Sequence, residues 1–182
     1  MNETADGLMR GADLARRENR LPDAHRDLVE AVALCRQSGK PGSLIQALKK
    51  LGQIERDLGR GNAALPLYEE AVALCRDKSD PLLLAHTVRH LGDIHQDAGR
   101  VALAEPCYHE ALLLYRGDEG TPPLDLANAL RPLAILKEKT GDLDEARRLF
   151  AEARDLYAAI GVRAGVVECQ ARVARLDRRL GP

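Results

Sequence analysis

His86, His90, Asp93 and Asp97 recur at the three- and four-residue spacing that places four side chains on one helix face. Imidazole and carboxylate are zinc donors, so this stripe is the first place to look for chemistry. One straight helix does not enclose a metal with four ligands, however, and the stripe reads as polar lining rather than a metal centre. Catalytic patterns are absent: there is no glycine-rich phosphate loop, no nucleophile elbow and no HExxH. The carboxylate pairs Glu69–Glu70 and Asp144–Glu145 fall on solvent faces, where they serve solubility. Ser38, Ser43 and Ser79 stand near turns or a helix start, where capping accounts for them. The sequence therefore predicts no catalytic residue, no metal site and no cofactor.

Composition narrows the class. The 182 residues are 45% apolar and 30% charged, enough for one soluble domain with a sizeable core. Aromatics are only 3%, so that core is built mainly from Leu, Ala and Val. The net charge of −1 is not that of a polycation, and few aromatics leave few platforms for stacking bases. Both argue against a nucleic-acid ligand. No apolar run reaches the ~18 residues of a membrane span. The first twenty residues lack the basic start and apolar run of a secretory signal. Cys35, Cys75, Cys107 and Cys169 form no CxxC pair and read as reduced thiols of a cytoplasmic protein. Cys35 and Cys75 hold matching places in a repeat and read as small core residues.

That repeat organises the chain. LGQIERDLGR from Leu51 returns as LGDIHQDAGR from Leu91. The second halves read AHRDLVEAVALC from Ala24, ALPLYEEAVALC from Ala64, AEPCYHEALLLY from Ala104 and ARRLFAEARDLY from Ala146. VARLDRRLG from Val173 repeats a first half once more. Leu44, Ala47, Leu48, Leu51, Ile54 and Leu58 mark one face of a helix, and the stripe from Ala64 to Cys75 is broader, as for a helix buried on two sides. Glycines separate the halves, and Ser/Pro/Gly clusters separate the repeats, so each unit is an antiparallel helix pair. The pairs are predicted at about 3–37, 43–77, 81–116 and 124–159, with a solvent-capped last helix at about 162–180, all in one domain.

Small residues predict close packing. Ala12, Gly52, Gly92 and Ala134 share one place on the first helices, and Leu28, Tyr68, Tyr108 and Phe150 are the bulky residues expected to fill the gap. At Ala31, Ala71, Ala111 and Ala153 the next first helix is expected to press close, so Ala71→Leu should cost about 1–3 kcal/mol. Pro66 and Pro106 stand early in their helices, where a proline costs little. Pro132 predicts a kink or a late start.

These residues resemble the tetratricopeptide repeat family: Leu51, Gly52, Gly59, Ala64, Tyr68, Ala71, then Leu91, Gly92, Gly99, Ala104, Tyr108, Ala111, then Leu133, Ala134, Gly141, Ala146, Phe150, Ala153. The first copy is weaker, with Ala12, Asn19 and Leu28 in place of two glycines and the aromatic. The 40- to 42-residue step exceeds the family's usual ~34 and is similar to its kinesin-light-chain-like and bacterial regulatory branch. The resemblance implies an all-α, right-handed superhelical solenoid whose first helices line a concave side.

Carried onto this chain, the resemblance implies an inward-facing set with thirteen Lys or Arg against seven Asp or Glu, although the whole chain is slightly negative. Such a trough attracts acidic or carboxylate-bearing ligands. The implied peptide groove is Lys49, Lys50, Gln53, Arg56, His86, Arg89, His90, Asn128 and Arg131. Some family members clamp a terminal carboxylate with Lys and Asn. Here Gln53 and His90 stand at Asn places and Pro132 at a basic one, so that clamp is incomplete. The expected function is a non-enzymatic protein-interaction module for a protein or peptide ligand. The alternative is a self-associating scaffold, in which exposed apolar residues such as Leu8 and Met9 pair with another copy, or a sensor segment of a larger bacterial regulator.

Overall fold

The glycine between the two halves of each repeat is required by backbone geometry. Gly59, Gly99 and Gly141 have φ of 74°, 72° and 92°, a left-handed region that costs other residues ~1–2 kcal/mol. Asn19 holds the same place in the first repeat at φ 59°, the one non-glycine in that region among the described residues. Asparagine is among the few residues that visit it readily. The following amide then bonds back across the turn: Arg20 N–H to the Ala15 carbonyl at 2.8 Å, Arg60 to Glu55 at 2.7 Å, Arg100 to His95 at 2.8 Å, Asp142 to Lys137 at 3.0 Å. This closure ends one helix and starts the next antiparallel to it.

The computed structural model describes residues 4–78 and 80–181. Among them are nine helices and no strand: α1 (Ala5–Arg17), α2 (Leu21–Ser38), α3 (Pro41–Asp57), α4 (Gly61–Arg76), α5 (Pro81–Asp97), α6 (Val101–Gly117), α7 (Pro123–Thr140), α8 (Leu143–Ala159) and α9 (Arg163–Leu180). The expected capping role of Ser79 and the start of the first repeat at residue 3 lie outside the described residues. None of these helices is long and apolar enough to cross a membrane.

The chain divides into two compact units, Met1–Asp80 and Pro81–Pro182. In the first, α1 packs on α2, α2 on α3 and α3 on α4, with a further α1–α3 contact. Its core joins Leu8, Met9, Leu28, Leu48 and Ile54. Leu8 and Met9 are 4% and 7% exposed, which corrects the expectation that they offer a surface for pairing. They sit on the apolar stripe that α1 turns to its partners. In the second unit α5 to α9 pack in sequence, with an α5–α7 contact, around Tyr108, Leu130, Leu133, Phe150 and Cys169. Cys35, Cys75 and Cys169 are buried and in no disulfide.

The small places are where helices meet rings. A Cβ on Gly92 would lie 2.8 Å from the Tyr108 ring, and one on Gly165 would lie 2.5 Å from the Tyr157 ring. Ala31, Ala71, Ala111 and Ala153 are fully buried. Pro66 and Pro106 are each the sixth residue of their helix, and the carbonyls they leave open belong to exposed Asn62 and Ala102. α7 runs unbroken through Pro132, so the late start that this proline suggested does not occur. The ring removes one amide from the ladder, which the buried Leu130, Leu133 and Ala134 on either side outweigh.

Successive pairs are also stapled at matching places. His25 Nε2 lies 2.8 Å from Glu55 Oε1. Lys137 Nζ donates to Glu105 Oε1 at 2.5 Å, and Arg147 pairs with Asp177. The acid sits now on the second helix, now on the first, so geometry is kept while polarity is exchanged.

Candidate functional site

All nine sequence-predicted groove residues lie on first helices of their pairs: Lys49, Lys50, Gln53 and Arg56 on α3, His86, Arg89 and His90 on α5, Asn128 and Arg131 on α7. Every one is half-buried. Their intermediate exposure follows from position, on the flank of the apolar stripe that faces the neighbouring first helix.

In the first unit the basic residues meet acids. Lys50 Nζ donates to both Asp13 carboxylate oxygens, at 2.6 and 2.7 Å. Arg16 Nε donates to Asp57 Oδ2 at 2.6 Å, and Gln53 Nε2 to Asp57 Oδ1 at 2.8 Å. Asp13, Arg16, Arg17, Lys50 and Asp57 line an open cleft of about 640 Å³.

In the second unit Asp93 is a hub. It accepts from the Tyr108 hydroxyl at 3.0 Å and from Arg89 Nη1 at 3.4 Å, and His90 Nδ1 lies 3.2 Å away. Arg89 Nη2 contacts His90 Nε2 at 2.7 Å. The His86 and His90 rings are 4.6 Å apart. The stripe is thus drawn into an arginine–tyrosine network through Asp93. Among the described residues no group of three or more His, Cys, Asp or Glu side chains is placed to hold a metal ion.

Asn128 and Arg131 extend this network. The Tyr157 hydroxyl donates to Asn128 Oδ1 at 2.7 Å, and Arg131 Nη1 donates to Glu168 Oε2 at 2.8 Å. Burial works against the Arg131 charge, but the Glu168 carboxylate offsets it and the pKa is raised. Burial raises the Tyr157 pKa, with the Arg131 charge pulling the other way. Burial also pushes Tyr115 up to about 12, against the opposing charge of Arg89. The Tyr115 hydroxyl lies within hydrogen-bond reach of the Arg89 guanidinium, while Arg89 Nε and Arg131 Nε are buried without a hydrogen-bond partner among the described residues.

Tyr115 and Tyr157 were not among the predicted site residues, because they lie on second helices. The signal was present: they stand where the first two repeats carry Cys35 and Cys75. A large side chain with a polar tip replaces a small apolar one, and the tip reaches toward first-helix residues.

Comparisons with known proteins bear on the family and the fold. Tetratricopeptide repeat models match residues 83–159 and 44–78. No curated protein sequence matches the chain significantly. Among solved structures, BtubC (BKLC) from P. vanneervenii superposes with a TM-score of 0.73 at 20% identity, over 96% of this chain and 80% of that one. A Podosopora anserina putative kinesin light chain with nearly identical TPR-like repeats gives 0.71 at 16% identity, over 99% of each chain. A STAND protein with a tetratricopeptide repeat sensor from Pyrococcus horikoshii gives 0.81 at 16% identity, over 93% of this chain but 26% of that one. The shared fold is an all-α repeat solenoid.

Proposed function

Because the chain belongs to the tetratricopeptide repeat family, whose repeats serve as protein-interaction or scaffold modules, we propose that its first helices bind an acidic or carboxylate-bearing peptide segment of a partner protein. The observation that carries this reading is the gathering of four half-buried polar residues, Arg89, His90, Asn128 and Arg131, on the first helices of the second unit. Guanidinium groups there offer charge-assisted hydrogen bonds to a ligand carboxylate. Asn128 and His90 border the same network and orient the ligand. Lys49, Lys50 and Arg56 give the first unit its own cationic face. Lys50 already holds Asp13, so it contributes orientation more than free charge.

The test is fluorescence anisotropy with a panel of acidic and neutral peptides, with free and amidated C-termini. Acidic or free-carboxylate peptides should bind preferentially, and Lys49→Glu with Arg89→Glu should abolish binding while leaving the helical circular dichroism intact. Undiminished binding by that variant overturns the groove.

A second reading, a sensor segment of a larger regulator, is supported by the similarity to the sensor-bearing STAND protein. Light scattering at several concentrations separates a monomeric sensor from a self-associating scaffold.

A further inference from the structure

Several cations on the first-helix faces are balanced one to one, as in Lys50–Asp13, Arg16–Asp57 and Arg131–Glu168. The cleft between α7 and α9 is different. Glu138, 10% exposed, is approached by three guanidinium groups: Arg175 at 2.6 Å, Arg172 at 3.1 Å and Arg179 at 3.5 Å. Lys139 and Ile135 complete an open cleft of about 450 Å³. Four cations face one carboxylate there, a surplus of three positive charges.

Glu138 fixes the guanidinium groups from one side without satisfying them. Each guanidinium carries five N–H donors, and Glu138 takes one from each arginine. Arg172 is further held with its guanidinium carbon 5.7 Å from the Phe150 ring centroid. Arginines already locked in place lose little side-chain freedom on binding. A monocarboxylate would leave the surplus largely uncompensated. A dianion with three acceptor oxygens offsets two of the three surplus charges and presents as many acceptors as there are arginine forks.

We propose that the α7–α9 cleft, through Arg172, Arg175, Arg179 and Lys139 arranged on Glu138, binds a dianionic phosphoryl group. The phosphoryl group is borne on a peptide side chain or on a small molecule. The cleft shares no residue with the groove assigned above, and the two are tested separately.

The experiment is isothermal titration of the full chain with an Ala/Gly-flanked phosphoserine peptide. The controls are its Ser and Asp counterparts, O-phosphoserine and inorganic phosphate. The phosphoserine peptide should bind at least tenfold more tightly than the Asp peptide, with affinity falling as salt rises. Arg175→Gln and Arg179→Gln should each weaken it at least tenfold, and Arg175→Lys should weaken it too, since the fork is lost while charge remains. Lys49→Glu with Arg89→Glu should leave it unchanged. A peptide source is indicated if the phosphopeptide exceeds free phosphate, and a small-molecule source if O-phosphoserine or phosphate binds equally well. Equal binding of phosphoserine and Asp peptides, binding indifferent to the arginine variants in protein of native circular dichroism, or no binding at low salt overturns the site.

Discussion

Gly52 on α3 lies directly beneath the ring of Tyr68 on α4: a Cβ at Gly52 would stand 2.5 Å from Tyr68 Cε2. Tyr68 is 1% exposed, so the ring has nowhere to go. Gly52→Ala should therefore destabilise the protein by about 1–3 kcal/mol in a urea melt. The first repeat joins Ala12 with Leu28 at the same places. Tyr68→Leu should accordingly recover part of the loss in the Gly52→Ala background. Additive costs in the double variant would show that the two sites do not share this space.

The turn positions separate backbone strain from packing. Nothing lies within 4 Å of a Cβ built on Gly59, whose φ is 74°. Gly59→Val should cost ~1–2 kcal/mol through conformation alone. Gly59→Asn should cost much less, because Asn19 already makes the equivalent turn at φ 59°. Thermal melts of the two variants rank them directly, and equal losses would contradict the conformational account.

Acid should loosen the second unit at a definite place. Lys137, donating a hydrogen bond to Glu105, holds that carboxyl below the ordinary carboxylate range. A depressed folded pKa contributes stability above the unfolded pKa of ~4.3 and loses it as pH falls through the folded value. Lys137→Met should therefore flatten the acid limb of the stability–pH curve below about pH 4. Wild-type and variant urea midpoints from pH 2 to 7 check this.

Much of the architecture was legible because the determinants are local and repeated. The periodicity of α3, the glycine turns and the alanine–aromatic alternation each report a contact inside one helix pair, so forty residues suffice to read it. The site was less legible. Sequence places Lys50 and Arg131 on first helices, but not that Asp13 and Glu168, both 37 residues away, take up their charge. Summing inward charges gave a basic trough, but not that three of its guanidinium groups gather on Glu138. The prediction of an exposed Leu8 and Met9 failed for a related reason. It counted distance from the chain end, while their place on the stripe of α1 decides burial.

Tyr115 offers the sharpest separation of stability from binding. Its hydroxyl is buried beside the Arg89 guanidinium, and that burial pushes its pKa up to about 12. At neutral pH, Tyr115→Phe removes a buried hydroxyl and its hydrogen bond with Arg89, and should cost about 0.5–1.5 kcal/mol. At alkaline pH the sign is fixed by linkage. Below the unfolded pKa of ~10 both states keep the proton, so the wild type pays nothing. Between ~10 and about 12 the unfolded chain releases it first, and wild-type stability should fall by up to ~3 kcal/mol. The phenylalanine variant should lack this loss, with Tyr157 common to both proteins. The same substitution should weaken binding of an acidic peptide, since Arg89 loses the hydroxyl that helps hold it. Denaturant titrations at pH 7 and pH 11, read beside peptide anisotropy, test all three signs. A variant that is less stable at pH 7 yet binds peptide normally would show that the hydroxyl serves the fold and not the ligand.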